Sequence, residues 1–276
     1  MEYCDRRILG ALQCVDAVTG LPITSGLQIV APGLRLLPGR SGRVVIQDAV
    51  GLVSLSEISS SFAQQPSAPP PSASWPERVT ITIGDRSGRF LPRTAQINLP
   101  RVPSRGDASS LFTPITIPLY PSPAAPIALS WAVLRATVLA ATPAGSARRL
   151  PWAWLRLKAA SNGQPNPRLF SRAQADWRGE ALLVLRSLPQ EFSDAGHRLS
   201  ELSIDLEVVF DPILQDLPEN LAALEPPAVN KPYLPDPDLL DGTTSRLRDG
   251  LVTSLVLMAG RAPPVRLVVN LKDRAP

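Results

Sequence analysis

The sequence predicts an all-β protein: two small Greek-key or immunoglobulin-like β-sandwich domains in tandem, a proline-rich linker between them and an extended C-terminal arm. Three observations predict it. The chain carries 31 prolines in 276 residues, and each proline pushes the preceding residue out of the helical region. Apolar residues make up 44% of the sequence, too many for a disordered chain, and they fall in short, β-branched runs. Finally, 20 of the 31 prolines lie in three clusters, at 66–76, 92–126 and 212–237, so they partition the chain instead of permeating it. Long helices and coiled coils are excluded.

The elements follow in order. Ile8–Val15, Leu27–Val30, Arg43–Ile46 and Val50–Leu55 are short runs bounded by turn residues and read as strands. Arg78–Ile83 alternates polar and apolar side chains, the period of a half-buried strand, and Ala95–Leu99 follows the Gly88 turn. Beyond the linker come Ile115–Leu119, Ala132–Leu139, Ala153–Leu157, Leu182–Leu185 and Ser203–Phe210. Leu251–Met258 and Val265–Leu271, separated by Gly260–Pro264, predict a C-terminal hairpin. Gln215–Leu224 is the main helix candidate, with Pro218 near its first turn. These runs delimit a first domain at 1–103 with a proline-rich loop at 62–77, a linker at 104–128, a second domain at 129–211, and an arm with its hairpin at 212–276. The arm between Asp211 and Asp241 has too little apolar content to fold alone and is expected to order against a partner.

A strand–Asp-x-x-Gly–strand pattern recurs. Ile81–Leu91, with Asp85 and Gly88, aligns with Ala173–Leu183, with Asp176 and Gly179, and Gln47–Val53 is a weaker third copy. Aspartate accepts backbone N–H bonds two residues on, and glycine takes the positive-φ position, so all four residues read as turn formers, not as catalytic carboxylates and their neighbours. Copies some ninety residues apart suggest duplicated sandwiches.

Charge and cysteine content narrow the function classes. The net charge of +4 comes from 28 basic and 24 acidic residues. All the basic residues but Lys158, Lys231 and Lys272 are arginine, spread along the chain without the stripe of a nucleic-acid binder. Arginine suits planar contacts with carboxylates at protein interfaces. Cys4 and Cys14 match no zinc spacing, and the single His197 cannot complete one. A Cys4–Cys14 bridge requires the N-terminal tail to fold back; two free thiols is the simpler reading. Met1–Arg7 is charged and lacks a signal-peptide core, and no apolar run is long enough to span a bilayer, so cytoplasmic synthesis without membrane insertion is expected.

No Gly-x-Ser-x-Gly elbow, HExxH, P-loop or Gly-x-Gly-x-x-Gly is present. Neither an enzyme activity nor a cofactor is expected. Asp236, Asp238 and Asp241 could offer oxygen ligands to calcium but do not match an EF-hand loop, and a solvated arm is the stronger reading. Trp75, Trp131, Trp152, Trp154 and Trp177 allow an alternative function as a carbohydrate- or surface-binding module. Trp152 and Trp154 share one strand face by period two, and packing is the first expectation for both. Trp177, in a tight turn, reads as an exposed interface anchor. Arg178, Tyr233, Leu234, Leu239 and Leu240 complete the candidate interface.

Two resemblances carry further expectations. The opening Leu12–Ile23, with Asp16, Thr19, Gly20 and Pro22, resembles the first hairpin of carboxypeptidase regulatory-like domains, and Thr82–Leu91 resembles a later element of that family. Ala132–Leu139, Pro151–Leu157 and Ala173–Leu185 follow the same plan without the first turn. The resemblance implies a prealbumin-type Greek-key sandwich serving as a non-catalytic spacer or attachment module. A narrower resemblance is to small proteins encoded beside phage-tail-like extracellular contractile injection systems. It rests on Asp85–Pro92, Ile97–Pro100, Leu119–Pro123, Ala132–Ala136, Trp152–Leu155 and Ala175–Ala181, in that order. It implies a structural or accessory part of the particle, at the baseplate or outer surface. Multiple copies contacting other protein subunits, and release by cell lysis, go with that role.

Overall fold

In the computed structural model, the structure describes residues 8–48, 77–101, 109–128, 131–141, 147–160, 168–186, 191–192, 198–199, 201–210, 234, 236–241, 248–258 and 264–270. The chain forms two compact units, Met1–Arg86 with Pro92–Leu119, and Ser87–Leu91 with Tyr120–Pro276. The fold is all-β, as the sequence predicts. Among the described residues, no helix is long and apolar enough to cross a membrane.

The first unit contains β1 (Gly10–Asp16), β2 (Leu27–Val30), β3 (Arg35–Pro38), β4 (Arg43–Asp48), β5 (Glu77–Asp85), β6 (Arg93–Leu99) and β7 (Ile115–Leu119). They make two sheets, ordered β3-β4-β1-β7 and β2-β5-β6. The alternation expected of β5 is realised: Val79, Ile81 and Ile83 are buried while Arg78 and Thr80 face solvent. The same phase in β6 buries Ala95, Ile97 and Leu99 together with Arg93. Burial of that arginine is tolerable because its Nη1 donates to the Pro118 carbonyl at 2.9 Å and its Nε to that of Thr94 at 3.1 Å.

Cys14 lies on β1 as expected, buried and free; Cys4 lies outside the described residues. Burial pushes the Cys14 thiol up to about 11, partly offset by the positive charge of Arg93. Only about one thiol in a thousand is then ionised at pH 8, and the thiolate is the nucleophile. Native Cys14 is expected to resist iodoacetamide at pH 8 and to react fully in urea. Peptide-resolved mass spectrometry separates it from Cys4, and rapid native labelling of Cys14 contradicts the burial.

The second unit contains β8 (Ala132–Ala141), β9 (Ala147–Arg149), β10 (Trp154–Ala159), β11 (Leu169–Gln174), β12 (Glu180–Leu185), β13 (Glu191–Phe192), β14 (Arg198–Leu199) and β15 (Glu201–Phe210). A short helix α1 (Pro237–Asp241), β16 (Arg248–Met258) and β17 (Pro264–Asn270) complete it. Its main sheets are β11-β10-β15-β16 and β12-β8-β17, with β9 on β8 and a small separate β13-β14 pair. One apolar core is shared between the two main sheets. Leu134, Ala136 and Val138 of β8, Leu183 of β12 and Leu267 of β17 come from one, and Leu155, Leu157, Ile204, Leu206 and Val208 from the other. This is a β-sandwich, closed by two layers that each bury one face.

The two units share a strand plan. In each, the first strand is central: β1 takes β4 antiparallel and β7 parallel, and β8 takes β12 antiparallel and β17 parallel. The facing sheets run β2-β5-β6 and β10-β15-β16. Among the described residues β9 and the β13-β14 pair have no counterpart in the first unit, and one shared strand is placed differently: β3 pairs with β4, whereas its counterpart β11 pairs with β10.

Several expectations are corrected. Leu251–Met258 and Val265–Leu271 do not form a hairpin: β16 pairs with β15 and β17 with β8, so the two strands enter different sheets of one unit. Both edges were free to accept a strand, and chain order cannot say which is filled. The C-terminal segment is thus part of the second unit instead of an appendage. Ile115–Leu119, expected with the strands that follow the linker although within its 104–128 bounds, is the last strand of the first unit. The Asp-x-x-Gly echo joins non-equivalent places, since Asp85–Gly88 connects β5 to β6 and Asp176–Gly179 connects β11 to β12. Any sharp reversal accepts that turn chemistry, so its repetition did not mark the duplication. Strands β3, β9, β13 and β14 were not anticipated, and β11 begins earlier than the Ala173 start read for the strand entering the Asp176 turn; β3 is short, mostly exposed and ends in Pro38. Val50–Leu55, Gln215–Leu224, the weaker third turn copy beyond Asp48 and the loop 62–77 up to residue 76 lie outside the described residues.

Candidate functional site

The turns named from the sequence are built as turns where the structure describes their bonds. Asp16 accepts the Val18 N–H at 2.8 Å, and Gly20, at φ +72°, donates to the Asp16 carbonyl at 2.8 Å. Asp85 ends β5 opposite Leu27, and Gly88 adopts φ +70°. Asp176 is more deeply committed. It is 3% exposed, and its Oδ1 accepts the N–H groups of Arg178 at 2.8 Å and Glu180 at 2.9 Å, while Oδ2 faces Arg178 Nε at 3.1 Å. Its carboxylate is occupied by its own turn.

Burial raises the Asp176 pKa above the ordinary carboxylate value, against the pull of those hydrogen bonds and of Arg178. A raised folded pKa means the native state holds this proton more tightly than the unfolded chain. The associated stability is present at acid pH and lost as pH rises through the folded value. Asp176→Asn keeps the Oδ1 acceptor and removes the titration, so its stability relative to the parent improves between pH 4 and pH 7. Asp176→Ala loses the acceptor as well as the titration, so it follows the same pH trend but lies about 1–3 kcal/mol below Asp176→Asn at both pH values. Urea denaturation at both pH values checks this, and equal costs for Asn and Ala at pH 7 refute it.

The candidate interface residues are brought together, but largely inward. Trp177 is half-buried and packs against a cluster of Trp152 and Leu234, so it is not the free anchor expected of it. Arg178 stacks over Trp177 at 5.5 Å and pairs with Glu180 at 3.2 Å, while Arg149 pairs with Glu180 at 3.1 Å. Leu234 and Leu240 are buried in the chain itself; Leu239 is exposed, and Tyr233 lies outside the described residues. Leu240 joins Tyr120, Trp154 and Val209, with the Tyr120 and Trp154 rings edge to face at 4.8 Å. The described end of the arm therefore docks on the second unit of its own chain instead of awaiting a partner. Few but large apolar side chains suffice for this, a feature that mean composition hides.

The acidic cluster is also absorbed. Asp236 Oδ1 accepts the Asp238 N–H at 3.0 Å at the start of α1. Asp241 accepts the Trp154 indole N–H at 2.9 Å and pairs with Arg172 at 3.0 Å. Among the described residues, no three His, Cys, Asp or Glu side chains are grouped to hold a metal. Trp152 and Trp154 are both buried, at 2% and 0%, so neither offers a face to a sugar. Trp75 and His197 lie outside the described residues, and Trp131 is half-buried.

Sequence reasoning missed one feature. The first unit holds a cleft of about 280 Å³ walled by Ile23, Leu27, Ile29, Leu36, Pro38 and Val44. It lies between β2 in one sheet and the β3–β4 pair in the other. Its apolar walls are visible in the sequence, but the opening results from β3 pairing with the opposite sheet.

The fold and these sites define a class, an all-β protein with a β-sandwich architecture. The chain matches no family model and no curated protein.

Proposed function

We propose that this protein is a non-enzymatic assembly component of a phage-tail-like contractile injection particle, placed at the baseplate or outer surface. One observation supports the reading above the others: five of the six sequence elements that carry the resemblance, all but Ile97–Pro100, hydrogen-bond to another of them. Leu91 N–H donates to the Tyr120 carbonyl at 2.9 Å, Phe90 bridges Pro121, and Ser122 donates to the carbonyls of Arg89 at 2.8 Å and Gly88 at 2.6 Å. These bonds join the Asp85–Pro92 element to the Leu119–Pro123 element. Likewise Ala175 N–H donates to the Ala153 carbonyl at 2.7 Å, Trp152 N–H to that of Asp176 at 3.2 Å, and Ala181 pairs with Ala136. Elements scattered over some hundred residues thus act as a connected framework, which favours a part selected for its architecture.

Mass spectrometry of purified particles tests the proposal. The chain is expected to co-purify after a high-salt wash at a fixed ratio to the sheath subunit, the ratio separating a baseplate ring from a sheath-wide coat. Its absence from washed particles defeats the reading.

A further inference from the structure

We propose that the outer edge of β2, together with the adjoining cleft, docks an extended segment of a partner protein as an added antiparallel strand. The segment is apolar at alternate positions and acidic at its ends. The inference stands on the first unit alone and does not rest on the particle assignment.

The phase of the ladder exposes the docking groups. Arg86 N–H donates to the Gly26 carbonyl at 2.9 Å, and β2 pairs with β5 as Leu27 with Asp85 through Val30 with Thr82. In an antiparallel ladder, alternate residues direct their backbone groups to the same neighbour. Gly26, Gln28 and Val30 therefore bond toward β5, and Leu27 and Ile29 direct their N–H and C=O groups outward. No other described strand pairs with that edge. The outer strands of the companion sheet, β3 and β7, carry Pro38 and Pro118, which lack a donor. Prolines of this kind blunt a sheet edge, and β2 has none.

The second unit shows what belongs there. At the equivalent edge, β11 pairs antiparallel with β10 and places Ala173 against the core, giving a four-stranded sheet where the first unit has three. Because β3 pairs with the other sheet, the matching place beside β2 is open among the described residues, and Ile23, Leu27, Ile29, Leu36 and Val44 stay only half-buried around the cleft. A cleft of about 280 Å³ is roughly twice an engineered cavity that admits benzene. It accommodates the inward side chains of a short strand, while the main-chain bonds supply pairing.

Charge sets the ends of the segment. Arg35, Arg40 and Arg43 flank the cleft and outnumber the two nearby carboxylates, Asp48 opposite Arg35 and Asp85 opposite Leu27. All three arginines are exposed, and Arg43 helps line the cleft. Such a rim favours carboxylates and disfavours a second copy of the same positive edge.

The probes are two capped heptapeptides of alternating valine and threonine, one flanked by aspartate and the other by lysine, titrated onto the intact protein by fluorescence polarisation. The aspartate-flanked peptide is expected to bind at least tenfold tighter, and to weaken severalfold between 50 and 500 mM salt, about the range over which surface charge is screened. Ile29→Pro removes an outward N–H together with a half-buried wall of the cleft, so it should weaken binding at least tenfold, whereas Ile29→Val keeps the N–H and most of the wall and should bind within about twofold of the parent. In the free protein, Leu27 and Ile29 amides should exchange fast and those of Gln28 and Val30 slowly. Binding of neither peptide, equal binding by Ile29→Pro, or slow exchange at Leu27 and Ile29 in the free chain each overturns the proposal. So does a lone preference for the lysine-flanked peptide.

Discussion

Truncation before Pro264 is expected to unfold the second unit. The deletion removes β17, whose seven residues Pro264–Asn270 pair in parallel with Arg135–Ala141 of β8. It also takes Leu267 and Val269, at 0% and 4% exposure, out of the core. Each such side chain contributes about 1.5–3 kcal/mol of burial, and each ladder bond adds about 0.5–1.5 kcal/mol net. The sum is comparable to the ~5–15 kcal/mol that holds a typical domain together. β8 would in addition become a bare edge. Hydrogen exchange at Leu134, Ala136 and Val138 provides the measurement, and native protection there in the truncated chain refutes the prediction. The milder Leu267→Ala, expected to cost about 2–5 kcal/mol, tests the same contact in a chain that still folds.

Gly179→Ala is expected to cost roughly 3 kcal/mol or more, and Gly88→Ala only about 1 kcal/mol. Both glycines have positive φ, +73° and +70°, which costs an L-residue about 1–2 kcal/mol. They differ in surroundings. A Cβ at Gly179 would stand 2.6 Å from the Val138 carbonyl oxygen and 3.1 Å from that of Leu150, whereas nothing lies within 4 Å at Gly88. Relief at Gly179 must move backbone, and the Val138 N–H to Gly179 carbonyl bond at 2.7 Å moves with it. Such overpacking adds about 1–3 kcal/mol. Urea midpoints of the two variants decide the matter, and equal destabilisation argues against the close approach.

That pair of glycines shows how far the sequence could be read. Both were legible as turn formers, because Asp-x-x-Gly chemistry is local and needs only the chain on either side. Their different weights were not legible, because Val138 and Leu150 reach Gly179 through folding. Arg93 was within reach: it sits in phase with Ala95, Ile97 and Leu99, so period two alone places it on the buried face. Its partners, the carbonyls of Pro118 and Thr94, include one 25 residues away that no local pattern names. Three residues of the candidate interface show the opposite limit. Trp177, Leu234 and Leu240 were recognised as strong anchors, and the chain itself supplies the surfaces they anchor to.

By itself, the sequence determined the all-β class, most strand positions and the turns between them, since these follow from proline, alternation and Asp–Gly chemistry within a few residues. Only the tertiary structure decided which edge each strand joins. It sent β16 and β17 to different sheets and placed Leu234 and Asp236–Asp241 in the second unit, while β3 paired away from β2 and left that edge unpaired among the described residues. A strand's pattern fixes which face it buries; the neighbour it pairs with depends on which backbone edge lies unpaired nearby, and that exists only once the chain has folded.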